Sequence, residues 1–172
     1  MADRPIHPDL HGHCLCKSVE YTVTNHEEPF FIAPFDVVAC HCDNCRRSAG
    51  APFQVFLPNV PVARVQFREK VPGAYKTYSS SEEAERGFCG ECGTTLSFRV
   101  KRLTSVSLTV CSMENPNDFV PRDEIFGIQR LRWIERLFSS GILNVWERWR
   151  HTPDRKLMNQ QHVIADHSSS RT

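Results

Sequence analysis

Apolar and polar residues alternate along this chain in short runs, the pattern of strands with one buried face. Ser18-Val19-Glu20-Tyr21-Thr22-Val23 sets the pattern, with Val19, Tyr21 and Val23 on one side. Strands are likewise predicted at Phe53-Gln54-Val55-Phe56-Leu57, Arg64-Val65-Gln66-Phe67, Ala74-Tyr75-Lys76-Thr77-Tyr78 and residues 94–100. Residues 105–111 place Val106, Leu108 and Val110 on one face and Ser105, Ser107, Thr109 and Cys111 on the other. A last strand is predicted at 124–129. Prolines break 30–39 into short extended pieces, since proline cannot donate to a ladder. Helical spacing is confined to the C-terminal side, where Trp133, Ile134, Leu137 and Phe138 share one face of 131–138. Residues 141–150, with Val145, Trp146 and Trp149, read as a second amphipathic packing segment or as a homodimer contact. The expectation is a mainly β fold with a short C-terminal helical segment.

Composition narrows this picture. Eleven prolines and eight glycines in 172 residues suit many short strands joined by turns. The length supports one domain, taken as residues 10–150, between a flexible N-terminal arm at 1–9 and a polar tail at 151–172 expected to be disordered. A formal charge of +1 supplies no basic surplus, so nucleic acid is not an expected partner. No apolar run reaches the length of a membrane span, and residues 1–10 lack the apolar core of a secretion signal. The expected location is therefore the cytoplasm, where thiols stay reduced.

Reduced thiols matter here because there are eight cysteines, and seven of them cluster. Cys14 and Cys16 form one pair, Cys89 and Cys92 another, and Cys40, Cys42 and Cys45 a triplet written C-x-C-x-x-C. Neighbours this close do not bridge to one another without strain, and clustered thiols in a reducing compartment read as metal ligands. Thiolates are soft, and a tetrahedral set of them suits zinc. In a C-x-C unit on an extended segment, both side chains face one side. Two pairs make one closed structural site from Cys14, Cys16, Cys89 and Cys92. The triplet then keeps a free fourth position, the mark of a catalytic site. The alternative partition joins the triplet to a distant thiol such as Cys111 and closes it.

Other residues near these clusters carry a functional and a plainer reading. His41 is a candidate proton carrier, although its place between two ligands turns its side chain away from the metal. Asp43 is expected to cap the turn into Cys45 through its carboxylate. Arg46 and Arg47 are candidates for binding a substrate carboxylate, or else a solvated pair. Phe53 is a candidate pocket wall or a core residue. His7, His11 and His13 lie near the first cysteines but are not needed by a complete four-thiolate set.

Gly12-His13-Cys14-Leu15-Cys16, the triplet with Cys45-Arg46-Arg47-Ser48-Ala49-Gly50, and Phe88-Cys89-Gly90-Glu91-Cys92-Gly93 together resemble the glutathione-dependent formaldehyde-activating enzyme family. That family shares its domain with centromere protein V. Ser112-Met113-Glu114-Asn115-Pro116, followed by Gln129 and Trp133, looks like its closing segment. The family usually has Ser-Leu-Asp-Asp/Glu-Pro and a later histidine there, so Met113, Glu114, Asn115 and Gln129 depart from its pattern. The resemblance implies an Mss4-like, zinc-stapled β fold. It also implies two zinc ions, a structural one at Cys14, Cys16, Cys89 and Cys92 and a catalytic one at Cys40, Cys42 and Cys45. The activity implied is the joining of glutathione to formaldehyde, formally a carbon–sulfur lyase in reverse.

The residues lead in a compatible direction. Three thiolates weaken a metal as a Lewis acid but leave it able to take up and deprotonate a fourth sulfur. The leading expectation is thus an enzyme acting on a small thiol and an aldehyde, with Cys40, Cys42, Cys45 and His41 in catalysis and Arg46, Arg47 and Phe53 at the substrate. The alternatives are a zinc enzyme working on another small metabolite, and a non-enzymatic zinc module that binds a protein partner.

Overall fold

A computed structural model describes residues 8–25 and 35–134, together with the strand backbones of Asn144–Trp146 and Leu157–Met158. The strands are β1 (Leu10–His13), β2 (Val19–Val23), β3 (Val38–Cys40), β4 (Gln54–Pro61), β5 (Val65–Glu69) and β6 (Tyr75–Ser79). They continue with β7 (Ala84–Cys89), β8 (Thr95–Val100), β9 (Ser105–Thr109), β10 (Asp123–Ile125), β11 (Asn144–Trp146) and β12 (Leu157–Met158). One α-helix, α1 (Asp43–Ala49), follows β3, and short 3-10 turns join several strands. Among the described residues no helix is long and apolar enough to cross a membrane. The mainly β architecture with clustered cysteines expected from the sequence is the one observed.

The chain divides into two compact units, and β4 passes from one to the other. The first comprises residues 1–35 and 57–120. It contains an antiparallel sheet in the order β1-β2-β5 and a ladder in which β6, β7, β8 and β9 are neighbours in turn. The alternation in β2 is realised as written: Val19, Tyr21 and Val23 are buried and the residues between them are half-exposed. Leu57, Val60, Leu96 and Leu108 are likewise buried without residue. Strand β7 is not among the strands the sequence predicts. Its pairing with both β6 and β8 supplies the order that its composition does not.

Gly12 shows why this unit requires a glycine at the end of β1. A β-carbon there would lie 2.3 Å from the Tyr21 ring and 2.6 Å from the Ser112 carbonyl oxygen. Gly12 bridges to Met113, and the Tyr21 and Ser112 hydroxyls are 2.8 Å apart. Gly12→Ala should therefore cost about 1–3 kcal/mol by overpacking. Urea unfolding of the two proteins tests this, and an unchanged midpoint would contradict it.

The second unit comprises residues 36–56 and 121–172. Strand β3 pairs antiparallel with the start of β4 and parallel with β10. Strand β10 continues to β11, also parallel, and β11 to β12, antiparallel. Ala39 and Ile134 are fully buried, with Phe53 and Leu131 packed against them. Several sequence expectations change here. The strand expected at 124–129 ends at Ile125, because Phe126 adopts a left-handed backbone (φ 57°, ψ 38°) and a 3-10 turn follows at Gly127–Gln129. The helix expected at 131–138 is a 3-10 turn at Arg132–Ile134 within the described residues, and its remainder lies outside them. Inside the segment read as amphipathic, Asn144–Trp146 is strand. Leu157–Met158, in the stretch expected to be a disordered tail, pairs with it. Strand partners distant in sequence leave little local signature.

Candidate metal centres

The first cluster is assembled in the first unit by two knuckles. In one, Cys14 N–H donates to the Val19 carbonyl and Lys17 N–H to the Cys14 carbonyl, with Lys17 left-handed (φ 61°). Cys14 and Cys16 thus sit on a tight turn, not on the extended segment expected for C-x-C. In the other, Cys89 N–H donates to the Thr94 carbonyl and Gly93 N–H to the Cys89 carbonyl. The two meet so that the sulfurs of Cys14, Cys16, Cys89 and Cys92 all lie within 4.8 Å of one another. Cys14 and Cys16 Sγ are 3.5 Å apart, Cys16 and Cys89 Sγ 3.8 Å. Sulfurs on one tetrahedral zinc stand about 3.8 Å apart, so the set fits such an ion. Thr94 joins the knuckles: its hydroxyl accepts from Leu15 N–H at 3.1 Å and lies 3.2 Å from Cys92 Sγ. His13 Nδ1 is occupied by the Cys14 carbonyl at 2.9 Å and His11 Nδ1 by the Thr22 hydroxyl at 3.2 Å. His7 lies outside the described residues.

The second cluster lies in the second unit, where β3 delivers Cys40 and the first turn of α1 delivers Cys42 and Cys45. The three sulfurs lie within 4.8 Å of one another, and among the described residues no fourth Cys, His, Asp or Glu joins them. Cys40 and Cys42 Sγ are 3.6 Å apart. Cys111 belongs to the first unit, exposed on the 3-10 turn Val110–Ser112, where the alternation of β9 has already ended. Hydrogen bonding to the Cys42 and Cys45 thiols, with burial, pushes the Cys40 thiol far above its ordinary range. The Cys40 thiol thus resists ionisation on its own, and a divalent cation binding it as thiolate would remove that penalty. Either cluster could hold a metal ion.

Helix α1 was read as a turn from the sequence. Its N-cap is Cys42, whose Sγ accepts the Cys45 N–H at 3.4 Å. Asp43 is therefore not the cap that the sequence suggested. It stands in the first helical turn, with one carboxylate oxygen 3.1 Å from Arg46 Nη2 and the other 2.7 Å from Arg47 Nε. The Asp43 main-chain N–H, left over at the helix start, donates to Gln129 Oε1 at 3.0 Å. Gln129 departs from the family pattern, yet it tethers the triplet's helix. The other end closes on Gly50 in the left-handed region (φ 61°), where a side chain would be strained. Arg47 is 78% exposed and Asp43 53%, so their pair is screened by solvent and weak, while Arg46, 21% exposed, shares the same outward-facing carboxylate.

His41 is completely buried. Its Nε2 lies 2.8 Å from Glu124 Oε1, and Glu124 is also buried to completion. Arg130 Nη1 reaches the other carboxylate oxygen at 3.2 Å. The His41 main-chain N–H donates to the Ile125 carbonyl at 3.0 Å. The half-buried Phe53 ring packs at 5.4 Å from the imidazole and against Ala39 and Ile134. Neither Glu124 nor Arg130 stood out in the sequence, because they lie 83 and 89 positions beyond His41 (124 − 41 and 130 − 41) and match no local motif. The left-handed Phe126, a conformation costing an ordinary residue about 1–2 kcal/mol, turns the chain so that Gln129 and Arg130 both face back toward this region.

These features can be set beside known proteins. A curated relative from Schizosaccharomyces pombe, named an uncharacterized lyase, is 37% identical over 91 residues, 53% of this chain. The match spans 58% of that relative's length. A crystal structure of a Rhodobacter sphaeroides protein superposes with a TM-score of 0.50 at 21% identity, covering 63% of this chain and 93% of that one, a likeness of fold. The family described as glutathione-dependent formaldehyde-activating enzyme matches residues 9–129, a span that holds every cysteine of both clusters. On that match, the chain belongs to the glutathione-dependent formaldehyde-activating enzyme family.

Proposed function

We propose that this protein is a zinc-dependent carbon–sulfur lyase that joins a small thiol of the glutathione kind to an aldehyde such as formaldehyde, or releases it. The observation that carries the reading is the three-sulfur cluster of Cys40, Cys42 and Cys45, which four-coordinate geometry leaves one ligand short. Zinc bound there would lower the pKa of an incoming thiol and hold it as a thiolate. In the forward direction the sulfur lone pair forms a bond to the aldehyde carbon, the carbonyl π pair moves to oxygen, and the thiol proton ends on that oxygen. The product is a hydroxymethyl thioether, and the reverse path breaks the same carbon–sulfur bond.

The chain's own residues divide the remaining work. Cys40, Cys42 and Cys45 hold the metal, Cys42 also capping α1. The Asp43 pairs to Arg46 and Arg47 are weak enough for a substrate carboxylate to compete for either guanidinium. His41, buried on Glu124, holds the loop, so the proton passes through solvent. Cys14, Cys16, Cys89 and Cys92 hold a second, structural zinc.

Cobalt(II) in place of zinc makes the triplet visible by absorption. Adding glutathione should then produce a saturable change in the sulfur-to-cobalt bands as a fourth sulfur binds. A cobalt-loaded triplet whose spectrum ignores millimolar thiol would rule this reading out.

A further inference from the structure

We propose that Glu124 is a positioning residue for the metal at the Cys40–Cys42–Cys45 triplet, acting through His41. The proposal rests on the reading of that triplet as a metal site. Two successive residues of β10 grip residue 41, which lies between two of the three sulfurs. Ile125 takes its main-chain N–H at 3.0 Å, and Glu124 Oε1 stands 2.8 Å from its imidazole Nε2. Parallel pairing of Ala39 with Glu124 and of Cys40 with Ile125 sets both grips in register. A single hydrogen bond leaves a peptide free to rock about it, whereas a main-chain and a side-chain anchor together fix the orientation of residue 41. They thereby fix the directions in which Cys40 and Cys42 project.

The anchor is built to be rigid. His41 and Glu124 are both 0% exposed, and the Phe53 ring packs beside the imidazole. A buried carboxylate is tolerable only when its charge is matched, and Arg130, 7% exposed, binds the oxygen that His41 does not use. Arg130 itself is delivered by the turn that the left-handed Phe126 begins. The arrangement resembles the outer partners that orient ligands in metal sites generally, whose loss weakens metal binding about 10- to 100-fold. Here the oriented group is the residue between two ligands, not a ligand.

Position and charge separate with two conservative substitutions in the full-length protein. Glu124→Asp keeps the charge but withdraws the carboxylate from His41 by one methylene. Glu124→Gln keeps an acceptor oxygen at the same reach without the charge. Cobalt(II) affinity is measured by competition with a chelator, following the two clusters separately. The Asp variant should bind cobalt at the triplet about tenfold or more weakly, and the Gln variant should stay closer to wild type. The four-cysteine cluster should be unmoved in both, a control that general loosening of the fold would not pass. An Asp variant with wild-type affinity overturns the proposal, as does a Gln variant weaker than the Asp one or a parallel loss at both clusters. A wild-type chain that takes cobalt only at the four-cysteine cluster removes the metal reading itself, and the proposal with it.

Discussion

Cys89→Ser unfolds the first unit at room temperature. Cys89 is fully buried, and its sulfur stands 3.8 Å from that of Cys16, a partner 73 residues earlier in the chain. The cluster therefore closes a long loop whose free ends would otherwise cost several kcal/mol of chain entropy. Structural zinc sites contribute about 10–16 kcal/mol of apparent binding energy in small domains, and a whole domain is stable by only about 5–15 kcal/mol. Losing the proposed zinc would therefore exceed the stability available to offset it. The strands that meet at the knuckles, β1 and β2 on one side and β7 and β8 on the other, lose their common anchor together. Far-UV circular dichroism with a urea titration is the measurement. A Cys89→Ser protein with the wild-type midpoint would show that the cluster is ornamental.

Cys42→Ser has the opposite profile, losing turnover and keeping the fold. Cys42 has two jobs, one as N-cap of α1 and one as a proposed metal ligand. Serine is among the favoured N-cap residues, so it preserves the first job. It fails at the second, because a hydroxyl is a hard, weakly acidic donor where a soft thiolate is needed. The unfolding free energy from a urea titration should change by less than about 1 kcal/mol, while formation of the thiol–aldehyde adduct falls to the rate of the protein-free mixture. Thiols add to formaldehyde spontaneously, so the rate has to be followed by NMR exchange with that background subtracted. Turnover above background in Cys42→Ser would exclude the triplet from the chemistry.

The two variants together distinguish a cluster that holds the fold from one that does the chemistry. Sequence spacing proposed that division, and the two clusters differ in how the fold places them. One cluster sits where two knuckles meet across a sequence gap. The other sits at the start of a helix, three sulfurs without a fourth among the described residues.

The sequence by itself determined the strands with one buried face, because alternation of period two is a local signal that burial later reinforces. Val19, Tyr21 and Val23 are the clearest instance. It also determined the grouping of the seven cysteines, because knuckles are short and their ligands lie close in the chain. Tertiary structure decided what depends on partners far apart. Strand β7 exists because β6 and β8 flank it, and β10 is parallel to β3, 85 positions earlier in the chain (123 − 38). The surroundings of the triplet are of the same kind. Asp43 became an arginine partner and not a cap because α1 continues past Cys45. His41 found Glu124 and Arg130, and Asp43 found Gln129, only because a left-handed Phe126 folds the late segment back on the early one. Local spacing can announce metal ligands, since they are close in sequence. The groups that orient them come from wherever the sheet brings a neighbour, and that information is in the register of the strands.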